Sequence, residues 1–237
     1  MTQWMYGKNV VKEILKGDEK VLCVAVVNLN DEIAQAAKKA GIRIRQMDRK
    51  ALTKLTGTDR HQGVAAEIEE VRLYSVEELI RDVRPDRGLL IMLDELEDPH
   101  NLGAVLRTAD AVGADGVIFK KTHSVGLTPT VAKVSAGAVK TVRCAAVTNL
   151  SRTLEELKKK GWWAVAADMD GKDYRMLDYD FNTVLIIGNE GKGISRLLME
   201  KCDHVISLPM TGKITSLNAS VSAGILMYEI YSKRNPV

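Results

Sequence analysis

Three polar, glycine-bearing stretches, each following an apolar run, carry the residues that could do chemistry. The first, Asp94 to Arg107, holds Asn101 and Arg107; the second, Gly188 to Ser195, holds Glu190; the third, Leu208 to Ser222, holds Ser216 and Asn218. Amide, carboxylate, hydroxyl and guanidinium groups of this kind orient a ligand or stabilise developing charge. Glycine-rich backbone can wrap a nucleoside or donate N–H groups. The spacing excludes the common nucleotide loops. Gly188-Asn189-Glu190-Gly191-Lys192-Gly193 reads G-x-x-G-x-G rather than G-x-G-x-x-G, with no Lys-Ser/Thr after its glycines, and Ile214 follows Gly212-Lys213. Each residue also has a plainer reading. Asn101 suits a helix N-cap, Arg107 a solvated arginine paired with Asp110 at i, i+3, and the 188–193 loop a turn before a helix.

The elements that must hold these loops follow from periodicity. Apolar runs at Leu89–Leu93, Gly116–Phe119, Val142–Val147, Trp162–Ala167, Val184–Ile187 and His204–Leu208 alternate with helical segments. That pattern predicts an α/β fold with a mainly parallel sheet covered on both faces. Ligands of such sheets bind beyond the carboxyl ends of the strands, where the three loops fall. In the helix after Asn101, the residues Leu102, Val105, Leu106, Ala109 and Val112 make the buried stripe, Arg107 points away, and Gly103 leaves open space. From Leu217 to Tyr231 the chain is apolar on almost all sides, with Asn218, Ser222 and Glu229 as one polar stripe. Such a helix is expected to be buried by its own domain on one side and by a partner subunit on another. Met169–Tyr179 reads as a connecting surface segment, and Lys158–Trp163 as a helix end, a glycine stop and a buried strand start.

Residues 1–72 form a separate small α/β module, with helices expected at Asn9–Leu15 and Asp31–Ala40 and strands at Val21–Val27, Ile42–Gln46 and Gly63–Ile68. A linker is expected over 73–87, where Ser75–Ile80 suits one short helix, and the larger domain over 88–237. The formal net charge is +3 over 237 residues. Lys and Arg outnumber Asp and Glu by 13 to 10 in residues 1–72 and balance at 21 each in the remainder, so the excess lies in the first third. Arg43, Arg45, Arg49, Lys50, Lys54 and Arg60 form a basic band that could contact phosphate, although charge alone favours an ordinary solvated surface. Cys23, Cys144 and Cys202 suit buried fillers rather than a disulfide or metal framework. The four histidines lack metal-ligand spacing. Without a membrane segment or signal-peptide pattern, a cytoplasmic setting is expected.

Taken together, the three loops resemble the SpoU (TrmH-like) branch of the SPOUT RNA methyltransferases. The motifs are Asp98-Pro-His-Asn101-Leu-Gly-Ala-Val-Leu-Arg107-Thr-Ala, then Ile187-Gly188-Asn-Glu190-Gly-Lys-Gly193, then Leu208-Pro-Met210-Thr-Gly212 with Ser216-Leu-Asn218-Ala-Ser-Val. The segments 125–138 and 147–154 are similar to the bacterial 23S rRNA guanosine 2′-O-methyltransferase subgroup. Tyr6-Gly7-Lys8-Asn9 and His61-Gln62-Gly63-Val64 also fit, so the resemblance spans essentially the whole chain.

The resemblance implies a trefoil-knotted catalytic domain, a leading RNA-binding domain like a small ribosomal-protein fold, S-adenosylmethionine as methyl donor, and an obligate homodimer; from the Cys and His spacing, no metal is expected. It places the cofactor against Gly188, Leu208 and Leu217, with Met210 and Gly212 nearby. It nominates Arg107 for catalysis, with Asn101, Glu190, Ser216 and Asn218 orienting the substrate and one another. A guanidinium gives up its proton at great cost, so Arg107 is expected to position phosphate and stabilise an alkoxide as a cation. A guanosine of 23S rRNA is the expected target. A tRNA 2′-O-methyltransferase of the same branch and a noncatalytic RNA-binding or ribosome-assembly factor are the alternatives.

Overall fold

A computed structural model describes residues 2–17, 20–69, 71–213 and 216–236, which divide into two compact units, Met1–Arg72 and Leu73–Val237. Ile214 and Thr215 of the third loop lie outside the described residues.

In the first unit, strands β1 (Thr2–Tyr6), β2 (Val21–Val26), β3 (Ile44–Gln46) and β4 (Val64–Glu69) form a sheet ordered β1-β4-β2-β3. β4 is antiparallel to β1 and β2, whereas β3 runs parallel to β2. Alternation along the strands sends Val24, Val26, Val64 and Ala66 to one face, under α1 (Lys8–Lys16) and α2 (Glu32–Lys39), and Ala25 and Ala65 to the other, under Leu52 of α3 (Arg49–Thr56). Asp31 and Asp48 cap α2 and α3. β1 and α3 add to the elements expected from the sequence pattern. His61 is fully buried and satisfied: its Nδ1 accepts from the Gly63 N–H at 2.9 Å, and Nε2 lies 3.1 Å from the Thr53 hydroxyl.

The second unit is a six-stranded, wholly parallel sheet built from β5 (Leu89–Leu93), β6 (Gly116–Lys120), β7 (Cys144–Val147), β8 (Trp163–Asp173), β9 (Thr183–Ile187) and β10 (His204–Ser207). Its order, β10-β8-β9-β5-β6-β7, gives every strand the same direction. The chain runs outward from β5 to β7 and then crosses to the other half, so the direction of winding reverses beside β5 and β9. Leu90, Met92, Ile118, Ala164, Ala166, Val184 and Ile186 pack under α4 (Val76–Ile80), α8 (Leu150–Lys158) and α9 (Arg196–Met199) through Leu79, Leu154, Leu157 and Leu198. The long helices α5 (Pro99–Ala111) and α10 (Ala219–Arg234) pack against each other, against β6 and against β9. Two short helices, α6 (Pro129–Val134) and α7 (Ala138–Thr141), lean on α5.

Residues 73–80 pack within this unit. The Tyr74 N–H donates to the Cys144 carbonyl at 2.8 Å, Ser75 and Glu78 form a reciprocal capping box, and Leu79 is fully buried. Arg234 ties the end of α10 down by donating to the carbonyls of Tyr179, Phe181 and Arg87 at 3.1, 2.7 and 2.8 Å.

Four local expectations change. The cap of α5 is Asp98, whose carboxylate accepts from the His100 N–H at 2.9 Å, with Pro99 at the first helical position; Asn101 lies inside the first turn instead. The space beside Gly103 is filled from within the chain, because a Cβ there would sit 2.6 Å from Cβ of Val134 on α6. Met169–Tyr179 is not a surface connector: β8 runs on to Asp173, a 3₁₀ turn follows at Tyr174–Met176, and Tyr179 is fully buried. At the start of β8, Trp162 is buried while Trp163 is 45% exposed, stacks on His204 and meets Phe181 at a tilt.

Candidate functional site

Because the strands are parallel, the loops after β5, β8, β9 and β10 emerge at one end of the sheet, next to the reversal of winding. The loop after β9 is closed on itself. The Asn189 N–H donates to the Gly193 carbonyl at 3.0 Å, the reverse bond measures 2.8 Å, and Asn189 Oδ1 accepts from the N–H groups of Gly191 and Lys192. Gly188 is required by contact rather than by torsion, since a Cβ there would lie 2.3 Å from the carbonyl carbon of Gly193.

The end of β5 braces this loop. Asp94 is buried, and its Oδ2 accepts from the Ser195 N–H at 2.8 Å. Its Oδ1 has no hydrogen-bond partner among the described residues and faces Lys120 Nζ at 3.9 Å. Asn189 Nδ2 donates to the Glu95 carbonyl at 2.9 Å. Lys120, which donates to the Glu95 carboxylate at 2.8 Å, holds that carboxyl below its ordinary range.

Three residues named from the sequence meet directly. Asn101 Nδ2 donates to Glu190 Oε1 at 2.6 Å, and Asn218 Nδ2 donates to the same oxygen at 2.7 Å and to Asn101 Oδ1 at 3.0 Å. Asn218 is also the N-cap of α10: its Oδ1 accepts from the N–H groups of Ser220 and Val221, which fixes the amide and aims Nδ2 at the other two. A single carboxylate oxygen thus takes two amide donors supplied by α5 and α10. The arrangement fixes the Glu190 carboxylate in place, with Oε2 free of hydrogen bonds to the described residues.

Beside this cluster opens a cleft of about 400 Å³, whose walls include Gly188, Leu208, Met210, Ser216 and Leu217. Gly212 is exposed and does not line it. The opposite wall was missed from sequence. β10 pairs with β8 at Val165 and Ala166 and again at Lys172 and Asp173, so residues 167–171 loop out and return over Gly171, where a Cβ would lie 2.5 Å from the Ile206 carbonyl carbon. That excursion puts Asp168, Met169 and Asp170 on the cleft. Two aspartates just beyond an apolar run were the available signal, at the same strand end as the other loops. Ser222 and Leu226 of α10 close the floor.

Arg107 is apart from the cluster. Six residues after Asn101 on α5, it lies about 9 Å along the axis and on a different face. It is exposed and makes no ion pair with a described residue. The pairing with Asp110 does not form, because Asp110 instead takes the Thr141 hydroxyl at 2.6 Å. Among the described residues no group of three or more His, Cys, Asp and Glu could hold a metal, and no helix is long and apolar enough to cross a membrane.

The model of the SpoU rRNA methylase family matches residues 88–228, which carry all of these loops. The chain belongs to that family. The model for RNA 2′-O ribose methyltransferase substrate binding matches residues 4–74, so the small leading unit is part of the family's arrangement as well. Over 99% of the chain and 97% of the relative, it is 47% identical to YacO of Bacillus subtilis (strain 168), a protein assigned to the TrmH family of tRNA/rRNA methyltransferases. It is 26% identical, with a TM-score of 0.65, to an AdoMet-bound rRNA methyltransferase from Sinorhizobium meliloti, covering 100% of this chain and 88% of that one. A TrmH/SpoU tRNA modifying enzyme of A. aeolicus is 32% identical with a TM-score of 0.57, but covers 63% of this chain and 77% of its own. The protein is therefore an RNA methyltransferase of the SpoU/TrmH family.

Proposed function

We propose that this protein transfers the methyl group of S-adenosylmethionine to a ribose 2′-hydroxyl of RNA, with a guanosine of 23S rRNA as the target, in the cytoplasm and as a homodimer with a trefoil-knotted catalytic unit. The observation that carries the reading is the cleft at the reversal of winding, flanked by the Asn101–Glu190–Asn218 cluster. Its volume suits a nucleoside-sized ligand. Backbone at Gly188 and Leu208, with Leu217 and Met210, offers an apolar and amide surface for an adenosine, and Gly212 would act by shaping the third loop. The carboxylates of Asp168 and Asp170 suit a ligand that carries a sulfonium and an ammonium charge. When bound, the cofactor supplies an electrophilic methyl.

The rest is the work of the chain. A ribose hydroxyl is a weak nucleophile until its proton leaves, so the residues must orient it in line and favour the developing alkoxide. Glu190, Asn101, Asn218 and Ser216 orient the substrate, and Arg107 positions phosphate and stabilises the alkoxide as a permanent cation. An rRNA target is supported by the leading unit: the rRNA methyltransferase covers this chain along its whole length, whereas the tRNA enzyme covers 63% of it. Homodimerisation is supported by α10, where Val221, Ile225 and Tyr228 form an exposed apolar stripe at i, i+4 and i+7. A calorimetric titration with S-adenosylmethionine, together with mapping of 2′-O-methyl groups in 23S rRNA and tRNA from a deletion strain, tests the reading. Binding and one missing rRNA methyl group are expected. No binding would favour a noncatalytic factor, and a missing tRNA methyl group would move the target.

A further inference from the structure

We infer that the α3 face of the leading unit is the surface that grips the RNA phosphate backbone, through Arg43, Arg45, Lys50 and Lys54, with Arg49 and Arg60 at its margins. The inference rests on the RNA-methyltransferase reading for its partner but on different residues for its geometry.

Charge alone did not distinguish this band from a solvated surface; the fold does. Ile44 of β3 points to the core under α1 and α2, so strand alternation sends Arg43 and Arg45 to the other face, the one that carries α3. On α3, Leu52 and Leu55 pack down on the sheet, which turns Lys50 and Lys54, one helical turn apart, outward. All six cations are exposed, and none makes an ion pair with a described residue. Of the acids adjacent in sequence, Asp48 caps α3, accepting from the Ala51 N–H at 2.7 Å, and neither it nor Asp59 makes an ion pair with a described residue. On the opposite face Lys8 and Lys12 are paired to Asp31 and Glu32 at 2.6 Å each, and Lys38 and Lys39 at the end of α2 are exposed without an ion pair to a described residue.

Local stability does not account for the pattern. Arg49 and Lys50 occupy the first turn of α3, where the positive end of the helix dipole disfavours cations, and the one acid at that end is the N-cap Asp48. β3 is an edge strand, and Arg45 within it and Arg43 just before it are exposed. Exposed, unpaired cations spread along one edge and one helix match a polyanion whose charges repeat along its length. They contact phosphates and not bases, so the surface would anchor RNA without reading sequence.

The test uses the full chain and a labelled RNA hairpin of arbitrary sequence. Binding is measured across a salt series for the parent, for Arg43→Ala/Arg45→Ala/Lys50→Ala/Lys54→Ala, and for Lys38→Ala/Lys39→Ala on α2 as a control. The fourfold variant should bind at least about tenfold more weakly, and its log–log salt dependence should be shallower by about one unit for each phosphate that is no longer neutralised. The α2 variant should match the parent. An unchanged affinity and slope in the fourfold variant, equal losses in both variants, or parental binding to anionic phosphatidylserine vesicles but not to RNA would overturn the assignment. S-adenosylmethionine binding should stay parental in every variant. If the parent fails to bind the cofactor while the fourfold variant still loses RNA, the methyltransferase reading fails and the surface stands.

Discussion

Replacing Gly188 by alanine places a methyl group where the loop after β9 closes on itself. The added Cβ would lie 2.3 Å from the Gly193 carbonyl carbon, 2.5 Å from its oxygen and 2.5 Å from the Ile194 nitrogen. Ordinary contact between carbon atoms begins near about 3.5 Å, so the loop must move by roughly 1 Å. Backbone held by the two Asn189–Gly193 hydrogen bonds cannot swing aside as a side-chain tip would. Overpacking of this kind costs about 1–3 kcal/mol, or a fall in melting temperature of about 2–4 °C per kcal/mol. The displaced loop is a wall of the cleft and also carries Glu190. Cofactor affinity should therefore fall about tenfold or more, and turnover about 100-fold, the usual consequence of a misplacement near 1 Å. Gly191→Ala is the internal control. Its Cβ would meet Asn189 Oδ1 at 3.6 Å, an ordinary contact, and should change stability by less than about 0.5 kcal/mol. Thermal melts and isothermal titration with S-adenosylmethionine give both readouts. A Gly188→Ala protein with parental melting and parental affinity would refute the argument that contact, not composition, fixes this glycine.

Four further outcomes follow from the same geometry. Arg107→Ala and Arg107→Lys should both lower methyl transfer, mainly in turnover, while leaving the melting temperature within about 1–2 °C because the side chain is exposed and unpaired; near-normal turnover in both would remove Arg107 from catalysis. Glu190→Ala strands the amide donors of Asn101 and Asn218 and should cost about 1–3 kcal/mol, whereas Glu190→Gln keeps an acceptor and should cost less; equal melting curves would show that the cluster does not depend on that oxygen. Ile225→Asp or Tyr228→Asp on the exposed stripe of α10 should convert a dimer to a monomer in sedimentation, and a parent that sediments as a stable monomer contradicts the proposed assembly. Burial pushes the Cys144 thiol from 9.0 up to about 12, so the unfolded chain ionises first, and the stability this thiol contributes is lost as pH rises through that window. Between pH 8 and pH 10, Cys144→Ala should lose less stability than the parent by about 1.4 kcal/mol in urea titrations, and identical losses would exclude the thiol as the cause.

What could be read in the chain divides along physical lines. The parallel sheet was legible because strands covered on both faces must be apolar throughout, and six such runs recur between helices. The three loops were legible because polar residues and glycines next to those runs stand out against them. Asn101, Glu190 and Asn218 were grouped by the family resemblance as orienting one another, but nothing in a linear pattern gives the 2.6–3.0 Å contacts that join α5, the loop after β9 and the cap of α10. Asp168 and Asp170 were missed for a different reason. The excursion that aims them at the cleft depends on β10 pairing with β8 on both sides of it, a register that only the folded sheet defines. The basic band was visible as composition but undecided as a surface until strand alternation and the helix packing of Leu52 placed its members on one face. Arg107 remains the instructive case. Periodicity correctly turned it away from the core, and the structure leaves it exposed and unpaired beside Thr108, where α10 crosses α5 at Gly224. An arginine so placed costs nothing to keep in solvent and is available to a partner, whether RNA or a second subunit, that arrives across the same exposed helices.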